Sequence, residues 1–260
     1  MNKVGFIGGG ALAESIVRGI CGKVFAPSDI FISEIRPERC KELSERYGVN
    51  ASVAADFLDA VDLLIVAVKP KDAEKTFAAL QNKIPASTII TYTVAGLKLA
   101  SVEKFFPENK IVRIMPNVAV SVGESMTAYT LNKNAAQIGE TIKNFWSTLG
   151  RAVEVEEKLM DAVTGLSGSG PAYAFLMIDA LSDGGVAAGL SRAMAIELAA
   201  QTLLGAAKMV LAGEHPDVLR DKVTSPAGTT IEGVRVLERG GVRSSFIEAV
   251  LAATEKSKSL

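Results

Sequence analysis

The sequence predicts an α/β fold, an N-terminal doubly wound and mostly parallel sheet followed by an all-helical domain. Three observations carry this. From residue 3 to about 156, short β-branched runs alternate with helix-patterned segments, the signature of βαβ units. Several of the runs show little polar alternation, as strands covered on both faces do. After residue 157 strand signals vanish, and Ala-, Leu- and Met-rich helical patterns continue to the end. The expected domains are therefore 1–156 and 157–260.

Strands are expected at Val4 to Ile7, Ile30 to Ser33, Leu63 to Val68, Thr88 to Val94, Ile111 to Met115, Met126 to Leu131 and Ala152 to Val155. Helices are expected at 11–21, 37–46, 71–82, 98–105 and 135–149. In the second half Gly165 to Pro171 reads as a break and Ala172 to Leu181 as a helix. Gly184-Gly185 reads as an interruption, and Ser191 as the cap of a helix running to about Leu211. Ala193, Ala195, Ala199, Ala200 and Gly205 imply close helix packing there. So apolar a helical domain buries its excess surface most readily against a second copy, giving a homodimer. A monomer with the helices folded onto the sheet is the alternative.

Composition narrows the function. Of 260 residues, 48% are hydrophobic and 28 Lys plus Arg nearly cancel 29 Asp plus Glu, so no broad field favours nucleic acid or an anionic membrane. No apolar run approaches the roughly 20 residues of a membrane span, and no signal peptide is read at the start. Cys21 and Cys40 lack metal-ligand spacing and fit reduced thiols. With His215 the single histidine, metal clusters built on histidine and Ser/His triads are excluded. A soluble, cytoplasmic protein is expected.

Val4-Gly5-Phe6-Ile7-Gly8-Gly9-Gly10-Ala11-Leu12-Ala13 places G-x-G-x-x-A between the first strand and an amphipathic helix. In that context Gly8 serves the tight turn, Gly10 the backbone approach of a pyrophosphate, and Ala13 close packing of helix on sheet. The end of the second strand, Ile32-Ser33-Glu34-Ile35-Arg36, carries mixed signals. Glu34 suits a ribose diol as in NAD sites, whereas Arg36 and Arg39 suit a 2′-phosphate, with plain surface charge the simpler reading of Arg39. Three further loops follow strands at the carboxyl edge: Ala67-Val68-Lys69-Pro70, Val94-Ala95-Gly96 and Met115-Pro116-Asn117. Ala95-Gly96 leaves room for a flat ring, and each loop also reads as an ordinary turn.

Two polar islands interrupt the helical half. Ser225-Pro226-Ala227-Gly228-Thr229-Thr230 puts three hydroxyls and small backbone ahead of a helix, a place for a small anion. A plain cap by Thr229 or Thr230 is the alternative. Leu166-Ser167-Gly168-Ser169-Gly170-Pro171-Ala172-Tyr173 likewise precedes a helix whose first turn tolerates proline.

These motifs together resemble the pyrroline-5-carboxylate reductase family. The likeness spans essentially the whole chain. It rests on Gly8/Gly10/Ala13, on Ala67 to Pro70, on Asp161 to Tyr173, on Asp183-Gly184-Gly185-Val186 and on Val223 to Thr230. It implies a Rossmann domain, a helical dimerisation domain and an active site at the dimer interface, with a homodimer or a higher homo-oligomer. The implied reaction is reduction of L-1-pyrroline-5-carboxylate to proline by NADPH, or by NADH. In that resemblance Gly228, Thr229 and Thr230 hold the substrate carboxylate with Ser225 beside them, Glu157 lies near the product, and the loop from Ser167 to Tyr173 is the other half of the substrate clamp. Gly8, Gly9, Gly10, Ala11, Leu12, Ser33, Glu34, Arg36, Ala67, Val68, Lys69, Pro70, Ala95 and Asn117 meet the cofactor. No metal is implied. The chain departs from the family pattern at Ala227, where Gly is usual, at Lys222, where Asn is common, and at Ala54, where many members carry Asn.

Two other functions are open to the residues. A β-hydroxyacid dehydrogenase shares the layout but uses an interdomain-helix lysine, and here no lysine follows Pro171 until Lys208. The intact loops facing the nicotinamide argue against a noncatalytic nicotinamide-sensing or interaction protein, and a purely structural dimerisation module would leave the hydroxylated islands unexplained.

Overall fold

The computed structural model describes residues 1–260. Eight strands form one sheet: β1 (Val4–Ile7), β2 (Ile30–Ser33), β3 (Asn50–Ser52), β4 (Leu63–Val66), β5 (Ile89–Tyr92), β6 (Lys110–Met115), β7 (Ser125–Leu131) and β8 (Gly150–Glu154), in the order β3-β2-β1-β4-β5-β6-β7-β8. All neighbours run parallel except β6 and β7. Helices α1 (Ala11–Ile20), α2 (Pro37–Tyr47), α3 (Pro70–Leu80), α4 (Leu99–Glu103) and α5 (Gly139–Ser147) connect them.

The absence of polar alternation in β1 and β4 has a direct cause. Val4, Phe6, Leu63 and Ile65 enter one core with Ile16, Val17 and Trp146, while Ile7, Leu64 and Val66 enter a second with Phe77 and Tyr92. Successive side chains thus point into two apolar layers, and every residue of both strands is buried. β3 has no hydrophobic signal in Asn50-Ala51-Ser52; it exists because β2 offers it a parallel edge, pairing Ile32 with Ala51.

The chain forms two compact units, Met1–Ser169 with Ala252–Leu260, and Gly170–Leu251. The first unit runs past residue 157 because α6 (Met160–Val163) stays with the sheet. Met160 packs with Met115 and Ala128, and Val155 and Val163 pack on the same cluster.

The second unit holds α7 (Gly170–Ala187), α8 (Arg192–Leu211), α9 (Pro216–Lys222), α10 (Thr229–Arg239) and most of α11 (Val242–Lys258). Two expectations change. Gly184-Gly185 does not interrupt α7; a Cβ on Gly185 would lie 3.0 Å from Ala195 Cβ and 3.3 Å from Leu190 Cδ1, so this glycine lets α8 approach α7 closely. Residues 164–168 are not a break either, since they form a π-helical turn between α6 and α7, with Ser169 N donating to Thr164 O at 2.9 Å.

Ser191 caps α8 as expected, its Oγ accepting from Met194 N. The same helix comes nearest to a membrane span: its 20 residues include a window of mean hydropathy 1.4, although Arg192, Glu197 and Lys208 interrupt the apolar run. Glu197 and Lys208 are too few to lower that mean. Length and composition alone do not separate a span from an apolar packing helix. In the single chain α7 and α8 bury few of their large side chains, with Phe175 and Leu176 62% and 67% exposed.

Candidate active site

In the first unit the loops after β1, β4, β5 and β6 lie side by side at the carboxyl edge, and the strand order reverses direction between β1 and β4. Gly8 makes the turn there. Its φ is +95°, and a Cβ would stand 2.7 Å from Ala67 O, so both conformation and space require glycine. Gly8 N donates to Ser33 O and Ala67 N to Ile7 O, joining three strand ends. Gly10 is the N-cap of α1 without a side-chain cap, and a Cβ there would meet nothing within 4 Å. Gly10, Ala11 and Leu12 therefore begin a ten-residue helix with uncapped N–H groups on an open side, which fits the pyrophosphate of a dinucleotide.

The charged residues beyond β2 divide their roles. Glu34 is buried, and its carboxylate accepts from Gly9 N at 2.9 Å, Arg36 N at 3.2 Å and Arg36 Nε at 2.8 Å. Burial pushes this carboxyl up, but the Arg36 hydrogen bond, the two backbone donors and the Arg36 charge outweigh it and hold the group below its ordinary 4.5. The Arg36 side chain is 60% exposed, with only Nε engaged by Glu34. Arg39 is no loose surface charge: Nε donates to Gly9 O at 2.9 Å, and the guanidinium pairs with Glu14 and Glu42. Ser33 Oγ donates to Val53 O, tying β2 to the chain after β3.

Lys69 precedes α3 as its N-cap, and Pro70 opens that helix at the position where a missing N–H costs nothing. Val68 Cγ1 lies 3.4 Å from where a Gly8 Cβ would stand, closing the turn from the β4 side. Ala95 packs toward Met115, Ala128 and Met160. Gly96 has φ +74°, and the space its side chain would take is filled by Leu260, 3.0 Å away, and Ser257 O, 3.1 Å away. Asn117 accepts from Ala119 N and donates through Nδ2 to Ser167 O at 3.0 Å, so the loop after β6 holds the π-helical turn. The Ser167 hydroxyl donates to Val163 O.

Glu157 belongs to the sheet unit. Its Oε1 accepts from Leu99 N at 2.6 Å and from Arg113 Nη1 at 3.2 Å, and Arg113, 2% exposed on β6, also lies 4.0 Å from Asp161. Reading the sequence missed Arg113 and gave Arg39 a different role, since the contacts of Arg39 with Gly9 and Glu14 and of Arg113 with Glu157 span 25 or more residues with no local pattern to reveal them.

In the second unit Ser225 to Gly228 form a tight turn closed by Gly228 N donating to Ser225 O at 3.1 Å. Proline at its second position and φ +55° at Ala227 mark a type II geometry, which favours glycine at the third position. A methyl on Gly228 would overlap Ser225 Oγ, so that hydroxyl would have to turn aside. Gly228 is the N-cap of α10, and no side chain caps the helix. Neither Thr229 nor Thr230 serves as the cap, so the simple capping alternative fails; both residues are exposed at the helix start.

Comparison with known proteins gives the lineage. Residues 157–260 match the family model for pyrroline-5-carboxylate reductase dimerisation, and residues 3–95 match one described as NADP oxidoreductase, coenzyme F420-dependent. A pyrroline-5-carboxylate reductase of Arabidopsis thaliana is 42% identical over 99% of this chain and 95% of that protein. One of Synechocystis sp. is 45% identical over 99% and 98%. A Plasmodium falciparum pyrroline carboxylate reductase, solved with NADP bound, superposes with a TM-score of 0.90 at 30% identity, covering 99% of this chain and 97% of that one. With full-length relatives above 40% identity and the dimerisation region matched to its end, the chain belongs to the pyrroline-5-carboxylate reductase family of NAD(P)H-dependent oxidoreductases.

Proposed function

We propose that this protein reduces L-1-pyrroline-5-carboxylate to L-proline with NADPH, NADH being the second donor, and that it works as a homodimer in the cytoplasm. The observation that carries the reading is the turn Ser225–Gly228 opening onto an uncapped α10 with Thr229 and Thr230 exposed. The α10 N–H groups and the Thr230 hydroxyl bind the substrate carboxylate, which suits both the helix dipole and the donors present. Gly8 to Leu12 bind the pyrophosphate, and Arg36 offers two free guanidinium nitrogens to a 2′-phosphate.

NADPH, when bound, would supply the hydride for the imine carbon. The protein's contribution is positioning: the carboxylate clamp fixes the ring, and an imine nitrogen that arrives protonated needs no strong acid. Asn117 holds the Ser167 turn, and Glu157 ties Leu99 to Arg113, which fixes the loops at the carboxyl edge of the sheet. The exposed apolar faces of α7 and α8 support burial against a second copy. Cys21 and Cys40, both free thiols, support a reducing compartment.

Steady-state reduction of pyrroline-5-carboxylate with NADPH and NADH in parallel tests reaction and preference together. Turnover of 3-hydroxy acids, with none of the cyclic imine, would overturn the reading.

A further inference from the structure

Glu34 directly follows β2, the position from which an acidic side chain reads a ribose diol in many dinucleotide sites. In this chain its carboxylate is turned inward. Three N–H donors, Gly9 N, Arg36 N and Arg36 Nε, fill most of its about four lone-pair positions, and the residue is 6% exposed. From the other side Arg39 Nε holds Gly9 O at 2.9 Å, and Glu14 and Glu42 hold Arg39.

Both peptide planes around Gly9 are therefore pinned. In a trans peptide the N–H and C=O point in opposite directions, and this chain has no cis bond. The pull of Arg39 on Gly9 C=O thus aims Gly10 N–H away from α2. A Cβ on Gly9 would lie 2.9 Å from Leu43 Cδ1 and 3.2 Å from Glu34 Cβ, whereas one on Gly10 would touch nothing. Gly9 faces the protein and Gly10 the open side.

We infer that Glu34 and Arg39 are positioning residues that preset the pyrophosphate turn, and that Glu34 takes no part in reading the ribose. This inference rests on the dinucleotide reading proposed above. Arg36 is then the group at the β2 end that meets the ribose substituent.

Calorimetric titration of NADP⁺ and NAD⁺ into wild type, Glu34→Asp and Arg39→Met, with the melting temperature of each apoprotein, tests it. Glu34→Asp keeps the charge but withdraws the carboxylate from Gly9 N. Both variants should weaken both dinucleotides by about tenfold, and Arg39→Met, which leaves the Glu34–Arg36 pair intact, should leave their ratio within about twofold. Loss confined to NAD⁺ in Glu34→Asp, or unchanged binding of both, overturns the inference. If Glu34→Asp does not fold, Arg39→Met carries the same expectation of parallel loss, and its failure to show that loss counts equally. Wild-type protein that binds neither dinucleotide overturns the underlying reading instead.

Discussion

Ser257 Oγ donates a 2.7 Å hydrogen bond to Asp161 Oδ1 across 96 residues of chain. The end of α11 is thereby fastened to α6, and Ser257 O and Leu260 come to lie against Gly96 in the loop after β5. Asp161 also faces Arg113, so one acidic side chain joins the last turn of α11 to the middle of the sheet.

Ser257→Ala should therefore lower stability by about 1–2 kcal/mol, as for a part-buried hydrogen bond to a carboxylate whose other contacts remain. Urea unfolding measures it. Gly96→Ala should cost more than its small volume suggests, because φ +74° and the contact with Leu260 act together.

Ala227→Gly should raise stability by about 0.5–1 kcal/mol. The left-handed conformation costs an alanine roughly 1–2 kcal/mol, and the added chain entropy of glycine offsets only part of the relief. Ala227→Val should shift the urea midpoint the opposite way; equal midpoints for the two variants would remove strain as the reason this position favours glycine.

Gly8→Ala should destabilise by about 1–3 kcal/mol and abolish dinucleotide binding, since the methyl meets Ala67 O at a turn that cannot move without breaking strand ends apart. Thermal melts with and without NADP⁺ report both effects.

Thr230→Val should cost roughly 1.5–3 kcal/mol in kcat/KM with pyrroline-5-carboxylate, as expected for a hydrogen bond to a charged group. Unchanged kinetics would take Thr230 out of the carboxylate site.

Acid should loosen the cofactor turn. The Arg39 hydrogen bond, helped by Tyr47 and Arg46 against burial, holds Glu14 below 4.5, and Glu34 is held below 4.5 as well. For a carboxylate depressed in the folded state, the stabilisation is complete above its ordinary value and is lost as pH falls through the folded one. The melting temperature should fall as pH drops below about 4.5. In Glu14→Gln that acid slope should be shallower.

The glycine turn, the alternating elements and Ser191 were legible because each depends on local periodicity and on residue types tied to one backbone conformation. Ala227 was legible as a departure, and its φ supplies the reason. β3 was not, since Asn50-Ala51-Ser52 becomes a strand only beside β2. Gly184-Gly185 misled because helix propensity penalises glycine, while the gain from close approach of Ala195 is non-local.

Which residue types stand at the glycine turn after β1 and at the Ser225–Gly228 turn is written in the chain's local order. Where their polar atoms point is a matter of folding. Glu34 as a sequence letter suits a ribose; packed beside Gly9 and Arg36 it becomes a latch, because a carboxylate removed from water takes the N–H donors that folding brings to it.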